Sequence, residues 1–279
     1  MKAKVFTKEK SKRIPSLLKT PLVLIIWLGI WYIAWFSLSV ILKTELLLPS
    51  PHAVAAEFSR LMLQKEFYIS CFNSLYRVIL GWAVGIASGS ILGIITKNSR
   101  FLKTLFEPVL HIIKATPVAS FIVLAIVLMT SKAVPVFTCA LITVPAVWAN
   151  VNEGLLSPDK KLLEMAEFFN MSRKKKIADI YIPAVLPYFS AAAKTTMGLS
   201  WKAGIAAEVL CIPGLSIGSE ISDAKVYLEM PSLFAWTITV ILLSVMLEKL
   251  LGIILNKTQE NTEDGGFSLK SLFKNGGKK

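Results

Sequence analysis

The strongest constraint on this chain is an uncharged apolar run that extends from Leu22 to Leu42. As a helix with a rise of about 1.5 Å per residue, the run reaches about 32 Å, which is enough to cross a hydrocarbon core of roughly 30 Å. A cleaved signal peptide would have a shorter apolar region followed by a small-residue cleavage site, and the sequence shows neither feature here. The run therefore predicts a transmembrane helix.

Five more apolar segments follow, so the sequence predicts an all-α integral membrane protein with six transmembrane helices. The composition agrees, since 54% of the residues are hydrophobic and 18% are charged, whereas soluble domains average roughly 45–50% and ~25%. The membrane domain covers residues 21–256, and its predicted spans are residues 22–42, 78–96, 112–130, 133–151, 184–209 and 233–255.

The distribution of positive charge predicts how these spans are oriented. The chain carries 31 Lys and Arg against 18 Asp and Glu, a formal net charge of +13. On a hydrophobic chain this excess indicates the positive-inside bias before it indicates a nucleic-acid surface. Lys and Arg concentrate in the tail 1–20 and in the loops after the second and fourth spans, so both termini and these loops are predicted to be cytoplasmic. The polar tail 257–279 is predicted to be disordered.

Several kinds of chemistry are excluded by what the sequence lacks. The three cysteines are far apart without any C-x-x-C pairing, and there are only two histidines, so neither a disulfide scaffold nor a metal centre is predicted. No G-x-x-x-x-G-K-[ST] stretch or catalytic motif is present, so the chain is not expected to bind ATP through a P-loop or to be an enzyme. Its energy source must be another polypeptide or an ion gradient.

The most informative segment is the long cytoplasmic loop between the fourth and fifth spans, residues 157–183. Ser157-Pro158-Asp159 is a helix start, with a capping hydroxyl, a proline at the first helical position and an acid in the first turn. Asn170 suits a left-handed helix end, and Ser172 can cap a second helix. Such a hairpin either packs on its own chain or docks into a groove of another protein. The first helix has an apolar face made of Leu162, Met165, Ala166 and Phe169.

The loop reads Glu164-Met165-Ala166, three residues, Asn170, nine residues and then Ile180-Tyr181-Ile182-Pro183. This spacing resembles the EAA loop in the membrane subunits of bacterial ABC importers, which reads E-A-A, three residues, G, nine residues, I-x-L-P. Met165, Asn170 and Ile182 depart from the family's letters. Asn in place of Gly keeps the turn chemistry because both residues tolerate a positive φ, and the other two changes keep apolar character.

Other segments are similar to the nitrate, sulfonate and taurine branch of these permeases, which includes relatives that import thiamine precursors. Together with the loop, they extend the resemblance over about residues 45–255. The segments are residues 48–51 (LPSP), 73–77 (NSLYR), 198–204 (GLSWKAG), 206–208 (AAE) and 235–236 (AW).

The resemblance implies a fold and an assembly. The chain would be a type I ABC importer transmembrane domain in the bacterial inner membrane, embedded in lipid and without nucleic acid. It would work as a homodimer with two cytoplasmic ATPase subunits, which would bind ATP and Mg, and with an external solute-binding protein. In the loop, Glu164 would face a basic residue of the ATPase and Ala166 would allow close approach. The alternative for Glu164 is an ordinary solvated carboxylate.

Charged residues inside the predicted spans are costly and are therefore candidates for function. Lys194 lies about 16 Å along the fifth span, near mid-membrane, and Lys202 lies nearer the outer surface. These lysines either line a pathway that favours an anionic solute, or pair across helices and snorkel to an interface. As coupling groups they would also fit the alternative function, a secondary transporter driven by an ion gradient. The candidate pathway residues are Lys194, Thr195, Thr196, Lys202 and Glu208.

The second predicted span contains four glycines at strict i+4 spacing. Small residues at this spacing let two helices approach closely. The pattern predicts a tightly packed helix face, with a glycine hinge as the alternative. The glycines are Gly81, Gly85, Gly89 and Gly93.

Overall fold

The computed structural model describes residues 16–42 and 48–265, and within these ranges the chain is helical and contains no strand. A short π-helical turn, Ile177–Tyr181, joins α8 to α9 without a break. The helices are α1 (Ser16–Leu42), α2 (Pro51–Met62), α3 (Lys65–Asn98), α4 (Arg100–Ala115), α5 (Val118–Leu128), α6 (Val134–Leu156), α7 (Lys160–Phe168), α8 (Arg173–Lys176), α9 (Ile182–Cys211), α10 (Ile217–Val226) and α11 (Met230–Gly265).

Within the part of the chain that the structure describes, helices that could cross a membrane account for three or four of the six predicted spans. Among the described residues, α3, α6 and the Met230–Thr258 part of α11 are long and apolar enough to cross a membrane, and α4 with α5 adds a fourth if the bent pair is one span. The predicted fifth span corresponds to α9, which is 30 residues long, but Lys194, Lys202 and Glu208 lower its hydropathy. The all-helical class is confirmed, whereas six spans and cytoplasmic termini stay predictions.

The third predicted span differs from the single helix expected over 112–130. Instead, α4 ends at Ala115 and α5 begins at Val118, and the two helices are bent by 103° at the break. Pro117 has no N–H to donate and disfavours a helical conformation at the preceding residue. Accordingly, Thr116 is extended, with φ −80° and ψ 135°.

The two ends of the chain lie mostly outside the described residues. Of the predicted N-terminal tail 1–20, residues 16–20 belong to α1 and residues 1–15 are outside the description. The polar tail predicted to be disordered from 257 begins inside a helix, because α11 continues to Gly265. Residues 266–279 lie outside the described part of the chain.

The centre of the molecule is α6, which packs against α3 on one side and α9 on the other. The four glycines of α3 are buried and form the face that meets α6. A Cβ added to Gly85 would lie 2.5 Å from the Thr143 Cβ, and one added to Gly93 would lie 2.8 Å from the Val151 Cγ1. Because α3 runs unbroken through all four positions, they act there as a close-packing surface between two helices.

Candidate functional site

The hairpin in the 157–183 loop begins at a different cap from the one expected. The Asp159 side chain accepts a hydrogen bond from the Lys161 N–H at 3.0 Å and caps α7. Ser157 instead ends α6, where its hydroxyl donates to the Gly154 carbonyl at 2.8 Å. The prediction of Ser157 as the N-cap is therefore wrong. Ser157 keeps a helical backbone, with φ −74° and ψ −22°, whereas an N-cap needs the extended backbone that Asp159 has.

The turn of the hairpin has the left-handed residue that the sequence predicts. Asn170 has a φ of +47°, and its N–H donates to the Glu167 carbonyl at 2.9 Å. The Met171 N–H donates to the Ala166 carbonyl at 2.9 Å. These two bonds form a Schellman motif, which satisfies the last carbonyls of α7 and fixes the direction in which the chain leaves the helix.

The second arm of the hairpin is continuous with a long helix of the membrane domain. Ser172 caps α8 as expected, accepting from the Lys175 N–H at 3.4 Å. The chain then passes through the π turn into α9, with Ile180 buried and Pro183 in the first turn of α9. Lys97, at the end of α3, lies over the Tyr181 ring at 4.0 Å from its centroid. The hairpin is thus connected covalently to α9 and by a cation–π contact to α3.

The two faces of α7 differ in what they offer to a partner. Ala166 is 2% exposed and faces Ile180 of the second arm across a small cavity, so the close approach it allows is within the hairpin. The role expected for Ala166, close approach to another subunit, does not fit this burial. The outer face carries the exposed Glu164 and Phe168. Phe168 is 81% exposed and packs edge-to-face on Phe169, which lines the cavity beside Ala166 and is still 70% exposed.

The predicted pathway residues of α9 separate into two groups. The Lys194 Nζ donates to the Asn256 Oδ1 of α11 at 2.6 Å, which is the cross-helix pairing given above as its alternative. Thr196 is buried and accepts a hydrogen bond from the Trp82 indole N–H at 3.1 Å, so it connects α9 to α3. Thr195 and Lys202 are exposed and, seven residues apart, lie on the same face of the helix.

Glu208, also expected in the pathway, is instead completely buried, so that expectation is wrong. The Glu208 carboxylate accepts hydrogen bonds from the Ser74 hydroxyl at 2.6 Å, the Arg77 Nη1 at 3.0 Å and the Gly218 N–H at 3.3 Å. A buried carboxylate is tolerated only with such partners. The carboxylate therefore joins α9 to α3 and α10.

Arg77 is the important residue of this cluster that the sequence did not identify. Arg77 directly precedes the second predicted span, 78–96, and therefore looks like a flanking charge in the sequence. In the structure α3 begins at Lys65, and Arg77 lies inside the helix, 8% exposed. A signal was available, because the NSLYR and AAE segments of the family resemblance contain Ser74, Arg77 and Glu208. No local pattern pairs these segments.

Comparison with known proteins assigns the family. Residues 85–259 match the family described as binding-protein-dependent transport system inner membrane component. This match covers more than half of the chain, and the chain belongs to this family. The predictions of an ABC importer permease, of a transporter subunit that is not an enzyme, and of an inner-membrane location are thereby confirmed.

Individual relatives agree with this family. A probable ABC transporter permease protein of Brucella melitensis biotype 1 is 24% identical over 80% of this chain and 89% of its own length. A putative aliphatic sulfonates transport permease of Bacillus subtilis is 25% identical, over 67% of this chain and 68% of the relative. A nitrate import permease of Synechocystis is 27% identical, over 63% and 68%.

A solved structure supports the fold. One chain of an amino acid ABC transporter, solved with histidines, is similar to this chain with a TM-score of 0.59 at 14% sequence identity. The match covers 73% of this chain and 97% of the other. This similarity establishes an ABC permease fold for the matched part and carries no information on the solute.

Proposed function

We propose that this chain is the membrane subunit of an ABC importer that forms the solute pathway and couples it to a separate ATPase through the 164–183 segment. The observation that carries the proposal is the hairpin. Its Schellman turn gives α7 a defined direction, and its second arm continues directly into α9. A force applied to α7 would therefore be transmitted along a helix of the membrane domain.

The outer face of α7 has the chemistry of a docking surface. Exposed Phe168 and Phe169 offer aromatic area, which is enriched at the energetic centres of interfaces, and Glu164 next to them offers a charge for a basic partner residue. In the proposed assembly, two copies of this chain in six-span form, with cytoplasmic termini, contact two ATPase subunits. The ATPases hold ATP and Mg, and an external binding protein delivers the solute.

The proposed solute is a small anion or organic anion. Relatives of this chain are named as permeases for aliphatic sulfonates, nitrate and bicarbonate, which share negative charge. The exposed Lys202 and Thr195 on α9 fit a pathway for such a solute, because a cation within the membrane offsets part of the cost of moving an anion through it.

The test is to purify the tagged chain from its native membrane in mild detergent and to quantify the P-loop ATPase that accompanies it. Phe168→Ala should lower the retained ATPase at least about tenfold, because hot-spot truncations cost roughly 2 kcal/mol or more. Glu164→Lys should leave membrane insertion intact and reduce ATPase retention and ATP-driven uptake. Glu153→Lys makes the same charge change at an exposed position of α6 and serves as the matched control.

Two outcomes of this experiment would count against the proposal. A stable complex without any ATPase, together with uptake that an ionophore abolishes and ATP depletion does not, would contradict the proposal and favour the gradient-driven transporter. Retention lost equally in the Glu153→Lys control would show that the effect is not specific to the hairpin.

A further inference from the structure

A cleft of about 550 Å³ lies beside the Arg77–Glu208 pair. Its position follows from the helices that surround it. Lys132 lies in the turn before α6, and Gly214 follows the end of α9, so both lie at the ends of these helices away from the hairpin. At about 1.5 Å per residue, α9 separates the cleft from the hairpin by roughly 45 Å. The cleft is lined by Asn73, Tyr76, Arg77, Leu80, Lys132, Val136, Pro213, Gly214 and Leu215.

The charged groups of the cleft are basic. Arg77 and Lys132 both line it, and its lining contains no acidic residue. Glu208 compensates Arg77 from outside this lining, where its carboxylate is fully buried and already accepts three hydrogen bonds. Lys132 is exposed, and none of the ion pairs found among the described residues includes it. The lining therefore keeps a net positive charge.

The donors needed by an oxyanion are present and held in place. The guanidinium of Arg77 contacts Glu208 through Nη1 and carries further N–H donors on its other two nitrogens. Its ion pair with a buried carboxylate fixes the orientation of the group, as a binding site requires. The Asn73 side chain donates to the Leu215 carbonyl at 2.9 Å, which ties the 213–215 loop to α3 and shapes one wall.

We infer that this cleft is an anion-binding site, at which the membrane domain receives an oxyanionic solute before translocation. Arg77 and Lys132 supply the charge, and Tyr76 adds a hydroxyl-bearing side chain to the lining. The volume falls within the range of roughly 300–1,000 Å³ typical of small-molecule sites. This inference rests on the proposed function for the direction of transport, whereas anion binding at the cleft can be tested independently of it.

The experiment measures the electrostatic potential of the cleft by thiol chemistry in the full chain, in detergent or nanodiscs. Leu80→Cys is introduced into a Cys71→Ser background, and its reaction rates with an anionic and a cationic methanethiosulfonate are compared. We expect the anionic reagent to react faster, and added sodium ethanesulfonate at constant ionic strength to slow the reaction. Adding Lys132→Glu should lower the anion-to-cation rate ratio at least about tenfold, because it replaces a positive charge of the cleft lining with a negative one and so acts in opposite directions on the two reagents.

The matched control is Lys225→Glu, which makes the same charge change in α10 outside the cleft and should alter the ratio less than about twofold. An unreactive Leu80→Cys, or a ratio near one that Lys132→Glu does not change, would overturn the inference. If the cleft shows no preference for the anionic reagent but the chain retains the ATPase, the anion site is refuted and the proposed function stands. An anion-selective cleft in a chain without any ATPase would instead refute the proposed function and keep the anion site.

Discussion

The ion pair between Arg77 and Glu208 should be the polar contact between α3 and α9 that is most costly to break from one side. At a separation of 3.0 Å, two unit charges attract by about 5.5 kcal/mol at an effective dielectric constant of about 20. Desolvation of the two ions offsets much of this gain, so the pair is not strongly favourable against a neutral replacement. Removing one partner is different, because it leaves the other charge buried. Glu208→Gln or Arg77→Gln alone should therefore lower the free energy of unfolding by about 3–5 kcal/mol.

The assay is equilibrium unfolding of the purified chain in mixed micelles, followed by circular dichroism, as a double-mutant cycle. The double variant Arg77→Gln/Glu208→Gln should cost at least about 2 kcal/mol less than the sum of the two single variants, since neither charge is then left unpaired. Glu153→Gln, at an exposed carboxylate of α6 outside the predicted spans, is the control and should stay within about 0.5 kcal/mol. Additive single effects, or a Glu208→Gln variant as stable as the control, would refute the reasoning.

Two further predictions concern the turn of the hairpin and the loop helix α10. Asn170→Gly should leave the free energy of unfolding and ATPase retention nearly unchanged. Asn170→Val should lower the free energy of unfolding by about 1–2 kcal/mol, because the residue has φ +47°, and should reduce ATPase retention. Equal retention by both variants would contradict the role of the turn. Burial, and then the charge of Asp223, raise the pKa of Glu220 above its ordinary 4.5. A carboxyl group with a raised pKa stabilises the folded state at low pH, and this stabilisation is lost as the pH rises above about 4.5. Glu220→Gln should therefore reduce the fall in Tm between acidic and neutral pH. A variant with the same dependence of Tm on pH as the parent chain would contradict this prediction.

The features that could be predicted from the sequence are those decided within a few residues. The left-handed turn at Asn170 depends on the backbone bonds of a single Schellman motif, which the local sequence determines. The N-cap of α7 could not be predicted from the local sequence alone. Ser157 and Asp159 are both good N-cap residues, and the choice between them depends on where α6 ends, which its packing against α3 and α9 decides.

Periodicity predicted the inner face of α7 but not how much of that face is covered. Four residues share this face by their spacing, and all four line the small cavity between α7 and the second arm, namely Leu162, Met165, Ala166 and Phe169. Phe169 is also the C-cap of the helix, with φ −83° and ψ 11°, and its ring is 70% exposed and packs edge-to-face on Phe168. The exposure of a side chain at a helix end depends on where the helix stops, which spacing alone does not determine.

Contacts between distant segments could not be derived from local turn and capping patterns or from helical periodicity. Arg77 and Glu208 are 131 residues apart, and a charge near the edge of an apolar run is indistinguishable from a flanking charge until the length of the helix is known. The structure then separates two kinds of charge on α9. Glu208 is buried and accepts three hydrogen bonds, so its charge is used to hold three helices together. Lys202 is exposed on the side of α9 that carries Thr195, and packing within this chain gives no reason for a cation there. A lysine in that position is stable in a membrane if its ammonium group reaches the interface or if water or a second subunit covers it. The second environment is the one that the proposed solute pathway between two copies would provide.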